Sequence, residues 1–230
     1  MTRFQLKKQA QEQNETGNFS SSLVTVLDPS STASEAYRAL RTSLLYAVQD
    51  APSKVILITS PGSAEGKSTT CANLGVVLAQ ADRKTLVIDG NLRNPSVHGI
   101  FGIDNFYGLV DILSDRLTLS EAGEEPLSGL EVVSSGPTPS NQTELLSSGR
   151  FAELIDQARQ LFDYVLIDSP AMESVSDPTI IATQADAVLL VLDSGTRQGP
   201  LLKAVRELEA IGANILGTVM NNLGKTKNGH

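Results

Sequence analysis

The sequence predicts an α/β fold, a doubly wound and mostly parallel sheet flanked by helices in three α/β/α layers. Three observations predict it. Short runs at Val55–Thr59, Thr85–Asp89, Tyr164–Asp168 and Ala187–Asp193 are almost wholly apolar, the pattern of strands covered on both faces. Helical patterns separate these runs, as βαβ units with right-handed crossovers require. The runs also end in residues that carry chemistry: Thr59 and Ser60 after one, Asp89 and Asp168 at two others. In such sheets ligands bind beyond the carboxyl ends of the strands.

Taken in order, residues 1–22 are polar, rich in Gln, Asn and Ser, and without a steady period, so a flexible N-terminal arm is expected. Leu23–Leu27 is a short β-prone run that stops at Asp28 and Pro29. Thr32–Glu35 has a capping-box pattern and opens a helix to about Gln49, with Tyr37, Leu40, Leu44, Leu45 and Val48 as its buried stripe. After the first apolar strand, Gly66–Ala81 reads as a helix and Thr85–Asp89 as the next strand. A short helix at Leu109–Ser114, a strand at Leu130–Ser134 and a Pro/Gly/Ser loop at Ser135–Asn141 follow. Glu144–Leu161 is helical, Tyr164–Asp168 a strand, Asp177–Gln184 a helix, Ala187–Asp193 a strand, Pro200–Ile211 a helix and Asn214–Met220 the last strand. No internal repeat is visible. Residues 23–223 therefore form one domain, followed by a short tail at 224–230.

The bulk composition suits this reading. The chain has 230 residues, 40% hydrophobic and 19% charged, enough for one domain with a sizeable core. Trp is absent and aromatics are 4%, so that core is aliphatic. The net charge of −8 argues against nucleic acid as a partner, because phosphate neutralisation needs clustered Lys and Arg. Cys71 is the one cysteine and cannot form an internal disulfide. No apolar run reaches the roughly 18 residues that span a bilayer, and the polar start lacks a secretory signal. A cytoplasmic location is the expectation.

Thr59–Thr70 carries the most specific signal. A Gly-Lys-Ser-Thr run follows an apolar strand and opens a helix, the context of a Walker A phosphate loop. Gly62 and Gly66 let the backbone curl so that its N–H groups point inward, and the helix start adds the positive end of its dipole. Gly62, Ser63, Ala64, Glu65, Gly66, Lys67, Ser68 and Thr69 are thus the candidate cradle for the phosphates of ATP. Lys67 supplies a point charge and Ser68 a hydroxyl for Mg²⁺. Pro61 stands where the consensus has its first Gly. Asp168, ending an apolar strand before Ser169 and Pro170, is a Walker B pattern and a candidate Mg²⁺ ligand. Asp89 ends a second such strand. Mere nucleotide binding does not need it, so it is the candidate proton acceptor or a holder of the metal's water. His98 belongs to no metal set.

With these motifs in place the chain resembles the bacterial tyrosine kinases of capsule and exopolysaccharide synthesis. The resemblance runs from Thr32 to Asn222. It rests on Glu35–Thr42, similar to that family's interface helix, on Thr59–Ser68, and on Val87–His98, similar to its Walker A′. Asn141–Ser148 and the Walker B segment Tyr164–Pro170 complete it. It implies an ATP- and Mg²⁺-dependent protein-tyrosine kinase in which Lys67, Asp89 and Asp168 are catalytic, Ser68, Asp89 and Asp168 serve the metal, and Asn221 recognises adenine. It further implies a transmembrane polysaccharide co-polymerase as activator. With no membrane-spanning run in this sequence, that activator is expected to be a separate protein that recruits the chain to the inner face of the membrane. Protein tyrosines are the implied substrates. Ring-shaped homo-oligomers bridged by Glu35, Arg38 and Arg41 are also implied, although those three residues read equally well as a solvated helix face.

Two departures from the family pattern stand out. Asn91 occupies the place of a second Walker A′ aspartate, which predicts weaker Mg²⁺ binding or slower transfer. The tail lacks the family's tyrosine cluster. The tyrosines are Tyr37, Tyr46, Tyr107 and Tyr164, of which Tyr37 and Tyr164 look structural and Tyr107, in a glycine-flanked loop, is expected to be the most exposed. Two alternatives therefore stay open. One is a catalytically impaired, nucleotide-bound regulator of the same pathway. The other is an ATPase switch of the partitioning or septum-positioning type, although Gly62 stands where those proteins carry a signature lysine.

Overall fold

The computed structural model describes residues 18–48 and 54–222. In chain order the elements are α1 (Val24–Leu27), α2 (Thr32–Ala47), β1 (Lys54–Thr59), α3 (Lys67–Ala79), β2 (Thr85–Asp89), α4 (Val97–Phe101), α5 (Leu109–Leu113) and α6 (Leu119–Ala122). Then come β3 (Glu124–Leu127), β4 (Leu130–Val133), α7 (Gln142–Leu146), α8 (Gly149–Leu161), β5 (Tyr164–Asp168), α9 (Asp177–Ala182), β6 (Ala187–Asp193), α10 (Gln198–Ala210) and β7 (Ile215–Asn221). The seven strands form one sheet in the order β3-β4-β2-β5-β1-β6-β7. Every pairing is parallel except β3 with β4.

Side chains alternate across the sheet as period 2 requires. Val55, Leu57, Leu86, Ile88, Val165, Ile167, Val188 and Leu190 join a core under α5, α8, α9 and α10. Ile56, Ile58, Val87, Val132, Leu166, Leu189 and Val191 join a second core with α3 and α4. Helix α3 is buried along most of its length, because α2 covers the side that the sheet does not. That close packing needs Gly75, where a Cβ would sit 2.8 Å from Val87 Cγ2.

Five local expectations change. Leu23–Leu27 is not a strand. It is a one-turn helix whose Thr25 N–H and Oγ1 both donate to Asn73 Oδ1 of α3, at 3.0 and 2.8 Å. A tertiary partner overrides β propensity here. The cap of α2 is Ser31 rather than Thr32; its side chain accepts from Ser34 N–H. Glu144–Leu161 is two helices. Ser147 and Ser148 hydroxyls donate to the carbonyls of Thr143 and Leu145, and helix α8 restarts after Ser148. Strand β3, α4 and α6 are additional elements. Pro126 argues against a strand at Glu124–Leu127, yet β3 is an edge strand, where proline is tolerated. Finally, the last residues of the expected arm are held in place: Ser20 N–H donates to Ile100 O at 3.0 Å and Phe19 packs on the second core. Residues 1–17 and the tail 223–230 lie outside the described residues.

Candidate functional site

The parallel register brings the chemistry together. Asp89 stands directly opposite Asp168 across β2 and β5, and Ile58 of β1 pairs with Asp168 on the other side. The loop after Thr59 therefore rises beside both carboxylates. Ala64 and Gly66 take left-handed conformations, with φ of 59° and 91°, which curls the loop before α3 begins at Lys67. The φ of 91° at Gly66 strains any other residue, and a Cβ there would also lie 1.9 Å from Asn221 Nδ2, which would have to move. The loop is tied down from outside as well. Met172 N–H donates to Ser60 O and Glu173 N–H to Pro61 O, so the proline at the consensus glycine position contributes a carbonyl that anchors the loop.

Lys67 is 8% exposed. Burial pulls its ammonium toward the neutral form, and the negative charges of Asp168, Glu65 and Glu173 oppose that pull. Ser68 Oγ donates to Asp168 Oδ2 at 2.5 Å. Asp168 Oδ1 is buried and has no hydrogen-bond partner. A buried, orphaned carboxylate oxygen beside a phosphate loop fits an incoming cation, since leaving it unpaired otherwise costs about 1–3 kcal/mol. Among the described residues no group of three His, Cys, Asp or Glu side chains could hold a metal alone.

Asp89 is fully buried and differently bound. Its Oδ1 accepts from Asn91 N–H at 3.1 Å, and its Oδ2 accepts from Ser96 and Val97 N–H, both at 3.0 Å. Burial, reinforced by the charge of Asp168, pushes the Asp89 carboxyl up to about 8 in spite of these donors. Burial likewise raises Asp168, to about 6, against the lowering effects of the Ser68 hydroxyl, Lys67 and the nearby Ser169 N–H. Both carboxyls thus bind a proton more readily than an exposed aspartate, Asp89 the more so.

The remaining residues of interest lie around this centre. Asn221, at the end of β7, donates to the backbone carbonyl of Glu65 at 3.1 Å and so touches the phosphate loop itself. Thr69 is partly buried in the first turn of α3. Glu35 and Arg38 pair at 2.9 Å on α2, while Arg41 Nη1 donates to Val77 O of α3 at 2.8 Å. Of the tyrosines, Tyr164 is buried and Tyr37 packs on the second core; Tyr46, 71% exposed, exceeds Tyr107 at 54%. Several residues were not found by sequence reasoning. Glu173 Oε1 accepts from Ser63 N–H at 3.1 Å, and Thr196 Oγ1 donates to Glu65 Oε1 at 2.5 Å. Arg93 forms a two-pronged pair with buried Asp177, at 2.7 and 3.1 Å, joined by Thr143. Neither Glu173 nor Thr196 sits in a recognisable motif. Only the fold brings them to the loop.

Comparison with known proteins agrees with this geometry. Residues 53–214 match the family model described as an AAA domain. The chain is 39% identical over 201 residues to tyrosine-protein kinase YwqD of Bacillus subtilis, covering 86% of this chain and 85% of that one. It is 36% identical over 202 residues to the putative tyrosine-protein kinase CapB of Staphylococcus aureus, covering 87% and 89%. The kinase domain of the Escherichia coli tyrosine kinase ETK superposes with a TM-score of 0.88 at 30% identity, over 100% of this chain and 91% of that one. The chain belongs to the AAA-domain family and, within it, to the bacterial tyrosine-protein kinases.

Proposed function

We propose that this protein is an ATP-dependent protein-tyrosine kinase of capsular or exopolysaccharide synthesis and export, transferring the γ-phosphoryl group of ATP to a tyrosine hydroxyl. One observation carries the reading. Two buried aspartates stand in register beside the phosphate loop, one saturated by its own loop and the other with an oxygen left over. Nucleotide binding alone needs only the second. In this reading the loop N–H groups and Lys67 hold the phosphates. Ser68 and Asp168 would hold Mg²⁺, and Asp89 would orient a water of the metal. The cation, when bound, neutralises charge on the β- and γ-phosphates. The Asp89 carboxylate takes the proton of the attacking tyrosine hydroxyl. Its affinity for protons, raised by burial, makes it a better acceptor than an exposed aspartate, provided that a neighbouring cation keeps it ionised.

The partner assignments belong to the same proposal. A transmembrane co-polymerase would activate the chain and hold it at the inner face of the membrane. Among the described residues no helix is long and apolar enough to cross a bilayer. Homo-oligomers would form through α2, where Glu35 is two-thirds exposed and paired with Arg38 on the same helix, while Arg41 is partly spent on Val77. A second reading, a nucleotide-bound regulator with weak transfer, is favoured by Asn91. Its Oδ1 accepts from Asn94 N–H, so it shapes a turn and brings no charge. Incubation with γ-labelled ATP, Mg²⁺ and tyrosine peptides, with and without the cytoplasmic segment of a co-polymerase, separates the two. Phosphotyrosine that disappears in Lys67→Met and Asp89→Asn proteins supports the kinase. Tight ATP binding without phosphotyrosine under every condition leaves the regulator.

A further inference from the structure

Glu65 lies inside the phosphate loop but is bonded on three sides to protein. Its side chain is buried, with 6% of the residue exposed. Oε2 accepts from the N–H of Gly62, three residues back, at 3.1 Å. Oε1 accepts from the Thr196 hydroxyl at 2.5 Å, and the Glu65 backbone carbonyl accepts from Asn221 Nδ2 at 3.1 Å. Thr196 is itself fixed, because its Oγ1 accepts from Asp193 N–H at 2.9 Å at the end of β6. Asn222 Nδ2 donates to Asp193 Oδ1 at 2.8 Å, which joins the end of β7 to the same network. A continuous chain of hydrogen bonds therefore leads from the ends of β6 and β7 to the first turn of the phosphate loop.

We propose that Glu65 is a positioning residue that sets the shape of the phosphate loop, with Thr196 and Asn221 as the struts that transmit the position of β6 and β7 to it. The inference rests on the reading of this loop as a nucleotide site. Its charge opposes deprotonation of Lys67 but repels a triphosphate, so what it supplies to the bound loop is geometry. The Gly62 bond closes the loop on itself, the Thr196 bond fixes the carboxylate that closes it, and the Asn221 amide fills the space beside Gly66 where a Cβ would not fit. Glutamine can keep the Gly62 bond through Oε1 and replace the Thr196 bond by one of reversed direction, with Nε2 donating to Thr196 Oγ1. Alanine keeps neither.

The test is titration of the full chain with a fluorescent ATP analogue in Mg²⁺, together with the melting temperature of the nucleotide-free protein. The set is wild type, Glu65→Ala, Glu65→Gln, Thr196→Val, the Glu65→Ala/Thr196→Val double variant, and Lys67→Ala. We expect Glu65→Ala to bind about tenfold more weakly and Thr196→Val about threefold, at nearly unchanged melting temperature. Glu65→Gln should bind within about twofold of wild type or more tightly, and the double variant no more weakly than Glu65→Ala. Equal affinity of Glu65→Ala and wild type, a loss in Glu65→Gln as large as in Glu65→Ala, or additive losses in the double variant would each overturn the inference. Should Glu65→Ala not fold, Thr196→Val decides, and an unchanged affinity there overturns the inference. Wild type binding no better than Lys67→Ala would instead remove the nucleotide reading, and the inference with it.

Discussion

Asp89 and Asp168 end neighbouring strands of nearly the same sequence and stand opposite each other, both without exposed surface. Their surroundings differ. Both oxygens of Asp89 are taken by three N–H groups of the loop that follows it, whereas Asp168 accepts one hydroxyl and keeps a buried oxygen with no partner. A carboxylate saturated by its own backbone organises a loop. One left unsaturated has an oxygen still open to a donor or a cation. Burial explains why the proton affinity of both is raised, and the hydrogen bonds explain why they respond differently to substitution.

The largest expected effect is on phosphoryl transfer. Asp168→Asn should lower kcat by about 100-fold or more, through loss of the charge that would hold the cation. Asp89→Asn should lower it by a comparable 10²–10⁴-fold, through loss of the proton acceptor. Single-turnover assays with γ-labelled ATP measure both. The two should part in Mg²⁺ dependence, since raising Mg²⁺ restores part of the activity of Asp168→Asn and none of that of Asp89→Asn. Recovery of both by metal would erase the division of labour.

Stability should separate them next. Asp89→Asn turns an amide NH₂ toward backbone N–H donors that had an acceptor, and each donor left buried without one costs about 1–3 kcal/mol. Asp168→Asn removes a charge from an apolar site and leaves the Ser68 hydroxyl an amide oxygen to bond, so its cost should be under about 1 kcal/mol. Urea unfolding of the nucleotide-free proteins decides. Equal losses would mean that the backbone bonds of Asp89 contribute no more than the single hydroxyl on Asp168.

Much of this centre was readable beforehand, and the boundary is physical. Val55–Thr59, Thr85–Asp89 and Tyr164–Asp168 announced themselves because strands buried on both faces leave no room for polar residues. The loop announced itself because curling a backbone around phosphates demands glycine and lysine at fixed spacing. The three-sided bonding of Glu65 was not readable, because Thr196 is 131 positions away and comes near only when β6 and β1 pair. The helix at Val24–Leu27 was misread for a similar reason: its conformation is decided by Asn73, 48 positions on from Thr25. The strand at Glu124–Leu127 was hidden by Pro126, whose presence makes sense once β3 is seen at the sheet edge. Local spacing reveals what a segment needs for itself, and not what another segment does for it.

The pH dependence of stability is a sharper probe of the pair. Both aspartates have raised proton affinity when folded, so above about pH 4 the folded protein binds more protons than the unfolded chain. The associated stability is fully present in acid and is lost as pH rises through about 6 and then about 8. The melting temperature of the nucleotide-free protein should therefore fall between pH 5 and 8.5. Asp89→Asn should flatten the upper part of that fall. Asp168→Asn should move what remains to lower pH, because the charge of Asp168 contributes to raising Asp89. A wild-type melting temperature that instead rises across this range would show that the two carboxyls are ionised throughout.

The smallest effect tests what the Asp89 loop lacks. Asn91 donates its N–H to Asp89 and accepts Asn94 N–H on its side-chain oxygen, so it serves as a turn residue. Aspartate can make the same two bonds, so Asn91→Asp should leave the fold and the melting temperature almost unchanged. It would add a negative charge near Asp89 and Asp168, which strengthens attraction for a cation and, in the nucleotide-free protein, raises the proton affinity of both further. We expect the Mg²⁺ concentration for half-maximal transfer to fall by about three- to tenfold, an interaction of the size of a partly screened charge. The gain should vanish in Asp168→Asn, which removes the carboxylate proposed to hold the cation. If Asn91→Asp leaves the Mg²⁺ requirement unchanged, the turn at Asn91 is structural alone and the cation depends on Asp168 and Ser68 without help from the Asp89 loop.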